Sequence, residues 1–515
     1  MIFSKSAKYL IIGLLIILNF IIRIPSVPHE IGNDSFAIHI LANSISVFGY
    51  AKWWFNLLSV FGMYPYSECS AVPFILSGIS QCTGIDMEHT IWLYCVIIGL
   101  FSAFTAYLLA GIIWNNDIFK FLIAFLYSLS PGILTFSTWD ATARGLFMVL
   151  LPLFTYLLLK IRASMKYIIL IFILSILLMA THHYFYMTFP IFFSLAILTI
   201  LYKLKGYVKF KIPNNFVSIA VVIMFLCMFS VPFFTGMFIE GSRYAELHIM
   251  LENNIRYTGI LIFLTVPGLM YLSLKYNKRF EEIFLLLTLL FLTIFLYMQT
   301  YAHYFIIIFS CILISIALTN ISRTRRKRKY AFSIIIIMLF MFITFSGFYQ
   351  HWRTHKGKVT AGQWYMDEEE YAGALWMKDN IDMNRRVVGN DNWLSKRMFA
   401  ISRVPSLLED VSCIWLVYGF AKIEDTPIVK NSPLSTSFYM DNPYVIDTRK
   451  FVLAGSYVGW LNNVDISKGK GIIQKFNFSY ATENQNIGKN RFIQSLYREK
   501  NSIYDNGKVR IWCLD

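Results

Sequence analysis

Charged residues are scarce in this chain of 515 residues: Asp, Glu, Lys and Arg make up 15%, where a soluble globular protein carries about a quarter. With 57% hydrophobic residues and a mean hydropathy of +0.55, that shortage excludes an ordinary soluble domain and points to a polytopic membrane protein. Cysteine is sparse too. The seven (Cys69, Cys82, Cys95, Cys227, Cys311, Cys413 and Cys513) include no CxxC, which argues against a thiolate metal site. Cys69 and Cys82 share one loop and Cys413 and Cys513 share the tail, so each pair is a candidate disulfide. There is no P-loop, no GxGxxG and no Ser-His-Asp order, so no phosphate cradle or hydrolase triad is read here. No repeat of fixed period and no low-complexity linker divides the chain. The formal charge of +16 invites a nucleic-acid partner. Its distribution decides against one, because Lys and Arg sit in short clusters between apolar runs and no nucleic-acid motif accompanies them.

What the sequence does have is apolar runs near the length needed to cross ~30 Å of hydrocarbon. Runs at 9–24, 91–113, 118–136, 144–160, 166–181, 184–202, 215–236, 258–275, 280–298, 302–319 and 331–348 predict eleven spans. The first follows Lys5 and Lys8 and ends in Arg23-Ile24-Pro25 without a small-residue cleavage site, so it reads as an uncleaved span with its N-terminus inside. The loops then counted as inside hold nineteen basic residues, six of them between Arg323 and Lys329, while the short outside loops hold few. This alternation is the positive-inside pattern. It predicts an α-helical membrane domain over 1–349, N-terminus inside and C-terminus outside, with a long first external loop at 25–90.

From about residue 350 the composition turns mixed and polar. Glu368–Asn380 has helical spacing. Arg386-Val387-Val388-Gly389, Tyr444–Leu453 and Lys508–Cys513 read as strands, the last after an Asp-Asn-Gly turn. The expectation is a small extracytoplasmic α/β domain over 350–515. Asn33-Asp-Ser and Asn477-Phe-Ser are sequons on that side.

Ionisable groups near a membrane core are costly and default to functional candidates. Asp34 lies just past the first span. Behind it Phe36, Ile40, Leu41, Ile45 and Phe48 recur with helical spacing, followed by Trp53, Trp54 and Phe55. That pattern predicts a helix lying in the membrane interface, apolar face down, with Asp34 as its N-cap or as a ligand. Asp140 and Arg144 sit between spans 3 and 4, where an ordinary i,i+4 pair is the plainer reading. His182 and His183 fall between spans 5 and 6. Glu240, Arg243, Glu246, His248 and Glu252 fall between spans 7 and 8, and His303 opens span 10. All of these positions lie on the predicted outer face. Carboxylates alone suit Mg²⁺ or Mn²⁺, and added imidazole admits Mn²⁺ or Zn²⁺, so Asp34, Asp140, His182, His183 and Glu240 form a candidate ligand set. Such an ion can neutralise a phosphate leaving group, one carboxylate can serve as general base, and Arg144, Arg243 and Arg256 can grip phosphate.

The acidic loop after span 1 (Gly32-Asn33-Asp34-Ser35-Phe36), the helix behind it, Met63-Tyr64-Pro65-Tyr66-Ser67, and Ser137-Thr138-Trp139-Asp140 ahead of span 4 resemble the GT-C superfamily of membrane glycosyltransferases. Within it, the layout of residues 1–350 is similar to the catalytic subunit of the archaeal oligosaccharyltransferase. The resemblance implies that Asp34 and Asp140 are the two catalytic or metal-binding carboxylates; beside it, the placement of Tyr64, Arg144, Arg243 and His303 makes them candidates for holding substrate. It implies transfer of a sugar or glycan, with inversion, from a polyprenyl-phosphate or -pyrophosphate carrier to a protein or glycan acceptor. The place would be the outer face of an archaeal cell membrane. The departures are plain: Asp140 is followed by Ala141 and Thr142 rather than a second ligand, no WWDYG occurs, and Asp391-Asn392-Trp393 is a distant echo of it. They argue against sequon reading. The rival reading is a transporter or flippase for lipid-linked glycans, but the spans carry almost no midplane charge and no repeated halves.

Overall fold

The computed structural model describes residues 4–52, 71–207, 247–298, 302–322, 328–359, 365–408, 412–422, 428–430, 444–446 and 454–515, with a few positions between 219 and 230. The chain is mostly helical and is a multi-pass membrane protein. Among the described residues five helices are long and apolar enough to cross a bilayer, and a sixth if the pair Glu252–Thr258 and Ile260–Leu274, bent by 106°, counts as one span. Gly259 makes that bend: its φ is +98°, and a Cβ there would lie 2.7 Å from the Phe342 ring. Other expected spans fall on shorter helices, α1 (Lys5–Ile21) and Tyr167–Thr181 among them, or outside the described residues, as 215–236 largely does.

The segment expected as one span at 118–136 is two helices. The first, Asp117–Ser128, ends at Leu129; Ser130 then caps Pro131–Thr135 through the Ile133 N–H, with proline at the first position. A hydroxyl cap followed by proline is a start signal. It aims the next loop, 137–142, back over the bundle, after which Thr142 caps the helix Ala143–Lys160.

Helix α2 (Asn33–Phe48) does not lie apolar face down in the membrane interface. Ile38 and Ala42 pack into the core of the bundle, while Phe36, Ile40 and Leu41, each at most 2% exposed, pack into the core of the C-terminal unit. The apolar surface is covered by protein from both sides. Asn43 donates to the Ala400 carbonyl at 2.7 Å and Tyr418 to the Ile40 carbonyl at 3.1 Å, which fixes the sandwich. Trp53, Trp54 and Phe55 lie outside the described residues.

The C-terminal unit has a helix at Glu368–Asn380 and another at Asn392–Ser402. They pack on a sheet ordered β1-β4-β6-β5: β1 (Arg386–Gly389) runs parallel to β4 (Phe478–Asn484), which pairs antiparallel with β6 (Val509–Cys513), and β6 with β5 (Ser502–Asp505). A separate pair joins β2 (Ile428–Lys430) to β3 (Tyr444–Ile446), within the segment expected as a strand to Leu453. Cys82 and Cys513 are free thiols, so neither candidate disulfide forms; in the second case β6 holds Cys513 opposite Tyr480.

Candidate active site

The site is built where the entry to α2 meets the 137–142 loop. Gly32 ends the loop after α1 with φ +96°, and a Cβ there would sit 2.3 Å from Asp140 Oδ1, so only glycine fits. The two segments are tied together. The Ile31 N–H donates to the Trp139 carbonyl at 3.2 Å, and the Ala141 N–H donates to Ser35 Oγ at 2.9 Å. Ser35 in turn donates to the buried Glu30 at 2.6 Å, whose other oxygen lies 2.6 Å from His39 Nδ1. Trp139 takes the left-handed conformation at φ +54°, uncommon outside glycine. That turn directs Asp140 inward.

Asp34 sits in the first turn of α2, where the helix dipole favours a carboxylate. It is not the cap: Gly32 holds that position, and no side chain caps this helix. Its side chain is 49% exposed and pairs with Arg144 at 3.1 Å. The i,i+4 partnership of Asp140 with Arg144 is therefore not the one made. Asp140, 3% exposed, instead accepts from Arg353 at 3.3 Å, and the same guanidinium donates to the Thr135 carbonyl at 3.2 Å. Asp140 Oδ1 has no hydrogen-bond partner among the described residues. Burial pushes the Asp140 carboxyl up to about 7; the negative Asp34 adds to that rise, and Arg353 opposes it.

These groups line one cavity of about 280 Å³, together with Arg256, Tyr257, Tyr304 and Trp393. Arg256 donates to the Tyr349 hydroxyl, and Tyr304 to the Tyr257 hydroxyl at 2.9 Å. The C-terminal unit closes one side: Trp393 lines the cavity, and Lys396 donates to Asn33 Oδ1 at 2.5 Å. That bond also gives the Asn33 sequon side chain a structural partner. Charges of both signs in a confined space interact far more strongly than in water.

Of the residues singled out in the sequence, Asp34, Asp140, Arg144 and Arg256 are brought together. His303 is buried at the start of Ala302–Ser322, and its neighbour Tyr304 reaches the cavity instead. His182 is buried against the rings of Phe147 and Phe305. Tyr64, Glu240, Arg243 and the His183 side chain lie outside the described residues. Among the described residues no group of three or more His, Cys, Asp or Glu is placed to hold a metal ion. Sequence reasoning missed Arg353. Its signal was a cation at the outer end of the last apolar run, the side where the positive-inside pattern leaves few.

No protein-family model and no curated protein matches this sequence. Solved structures do match in shape. The Archaeoglobus fulgidus oligosaccharyltransferase, tethered to an acceptor peptide with an NVT sequon, superposes with a TM-score of 0.61 at 12% identity, covering 100% of this chain and 74% of that one. ArnT from Cupriavidus metallidurans superposes at 0.58 with 10% identity, covering 99% and 98%. The mycobacterial arabinofuranosyltransferase AftD superposes at 0.52 with 12% identity, this chain spanning 42% of it. The chain has the GT-C fold. Other structures of these GT-C proteins hold dolichol-phosphate, in the archaeal enzyme, and undecaprenyl phosphate, in ArnT.

Proposed function

We propose that this GT-C chain transfers a sugar or glycan from a polyprenyl-phosphate or -pyrophosphate carrier to an acceptor, on the outer face of the cell membrane. The observation that carries the reading is the cavity itself: two carboxylates and three arginines converge at the helix ends beneath the C-terminal unit. The carriers held by neighbours of the same fold support it. The charge pattern supports the side. Lys8, Lys120, Arg162 and Lys275 pair with Asp117, Glu281 and Glu282 at the opposite end of the helices, the end that the positive-inside rule assigns to the cytoplasm.

In this reading Arg144, Arg256 and Arg353 receive the carrier phosphate. Asp34 is exposed enough to reach an acceptor and takes its proton. The acceptor oxygen bonds to the anomeric carbon as the bond from that carbon to the phosphate oxygen breaks, with inversion, and the arginines balance the charge left on the phosphate. Asp140 is buried and acts through Arg353, holding it at the cavity wall. Asp140 Oδ1, a buried acceptor without a protein donor among the described residues, can serve a hard divalent ion as one ligand. Asp140 would be a ligand of Mg²⁺ or Mn²⁺, which when bound supplies further neutralisation of the phosphate, and Asp34 stays with the proton. His182, packed among aromatic rings, is outside the ligand set; the archaeal neighbour has been seen with zinc and sulfate.

The test is transfer from radiolabelled polyprenyl-linked sugars by the protein in liposomes, with Mg²⁺ or Mn²⁺, beside Asp34→Ala and Asp140→Ala. Label leaving the carrier with wild type only is the expected result. Equal release by wild type and both variants contradicts the site, and no release from any carrier contradicts the reaction.

A further inference from the structure

A second cavity, of about 130 Å³, lies back to back with the first. The wall between them can be followed along the chain. Ile31 lines the rear cavity and Gly32 the front one; Trp139 lines the rear and Asp140 the front; Gln350 and Thr354 line the rear and Arg353 the front. The rear cavity lies where the exit of α1 meets the end of the helix Arg328–Val359, and its rim carries the exposed Ser26 and His351.

Its lining is neutral. Among the described residues no Asp, Glu, Lys or Arg borders it, which disfavours a phosphate or carboxylate occupant. Ile22, Val27 and Gly347 give it apolar walls, and Trp139 an aromatic one. Gln350 is 5% exposed, and neither its Nε2 nor its Oε1 has a hydrogen-bond partner among the described residues. A buried amide left unmatched costs about 1–3 kcal/mol, so a group offering an acceptor and a donor side by side is favoured there. The space is several times what one ordered water needs, and small against a drug-sized pocket. A polyhydroxyl ring meets all of these conditions: adjacent hydroxyls for the amide, C–H faces for the indole and aliphatic walls, and no charge.

We propose that the rear cavity is a binding site for one neutral sugar ring, presented as a glycolipid headgroup or as a free glycoside. The proposal is read from this lining alone and does not require the transfer reaction to be as described above. Because residues close in the chain line the two cavities, an occupant touching Trp139 and Gln350 bears on the segments that carry Asp140 and Arg353.

The experiment is saturation-transfer NMR on the full chain in nanodiscs, with methyl β-D-glucopyranoside as the soluble probe and a glucosyl diacylglycerol in the disc as the lipid probe. Wild type is expected to saturate the sugar protons of at least one probe; only the lipid probe responding identifies the headgroup as the source, and a response to the soluble probe admits the free glycoside. Gln350→Leu should weaken binding about tenfold, the loss of roughly one good polar contact pair. Gly347→Leu fills the cavity from a helix position that leucine favours and should remove the signal. An added Cβ there meets only Ile22, at 3.8 Å, so the backbone accepts it. Asp34→Asn, which alters the front cavity alone, should keep the signal. No saturation in wild type with either probe, or a signal unchanged in both Gln350→Leu and Gly347→Leu, overturns the proposal.

Discussion

The two ends of the helical bundle handle charge in opposite ways. At the lysine-rich end the acids are matched: Arg162 meets Glu281 at 3.1 Å, both partly exposed, the buried Asp117 takes Lys8 on one oxygen and Lys120 on the other, each at 2.9 Å, and the buried Glu282 takes Lys275. At the other end the charges line a cavity, and the buried Asp140, paired with Arg353 through one oxygen, leaves the other without a donor among the described residues. The exposed Arg162–Glu281 pair contributes little, about 0–1 kcal/mol. Buried charge is costly to assemble, most of all where an oxygen is left unmatched. Incomplete pairing beside a cavity marks such a carboxylate as a candidate for chemistry.

That contrast can be broken by substitution. The largest effect is expected for Asp34→Asn, which removes the proposed proton acceptor: a fall in transfer of about 10²–10⁴. Asp117→Asn at the lysine-rich end should leave the rate within about twofold. Comparable losses at both ends would erase the distinction. Next is Arg353→Met, which leaves Asp140 buried without its cation. Breaking a buried pair from one side costs about 3–5 kcal/mol, so lower thermal stability should accompany a higher KM for donor, read by scanning calorimetry and initial rates.

The third test is pH. Asp140 is pushed up to about 7, from an ordinary value near 4. Below about 7 it takes up a proton and loosens its hold on Arg353, so transfer should rise with pH through about 7, and Asp140→Asn should flatten that step. The sign for stability is the reverse. The folded state holds this proton more tightly than the unfolded chain, so Asp140 contributes stability that is fully present below about pH 4 and lost as pH rises through about 7. Gly32→Ala comes fourth. The added Cβ collides with Asp140 at a positive φ, and a loss of about 1–3 kcal/mol is expected by thermal unfolding. Smallest is Arg162→Ala, with under about 1 kcal/mol and no change in transfer.

The membrane character was legible because long apolar runs have no other use, and Asp34 and Asp140 were legible because charge is rare beside such runs. Arg353 was not, since it stands where the polar tail begins and charge ceases to be rare. The pairing was not legible either. Arg144 sits four residues from Asp140, the spacing of an ordinary helical pair, yet its partner is Asp34, 110 positions earlier, because Thr142 caps the helix and the Trp139 turn sends Asp140 the other way. The apolar stripe of α2 was read correctly as something to be buried. Periodicity cannot say whether lipid or protein buries it, and here the C-terminal unit does. The break at Leu129 was written in Ser130-Pro131 and passed over inside an otherwise apolar run.

The most direct measurement pairs donor binding with single-turnover transfer in one preparation of Asp34→Asn, using a labelled polyprenyl-phosphate sugar in liposomes. With Arg144, Arg256 and Arg353 all present, the account predicts donor binding within about threefold of wild type and transfer reduced at least about a hundredfold. Transfer at the wild-type rate would contradict the cavity as the place of chemistry. Loss of binding together with transfer would contradict the assignment of Asp34 to the proton rather than to the donor.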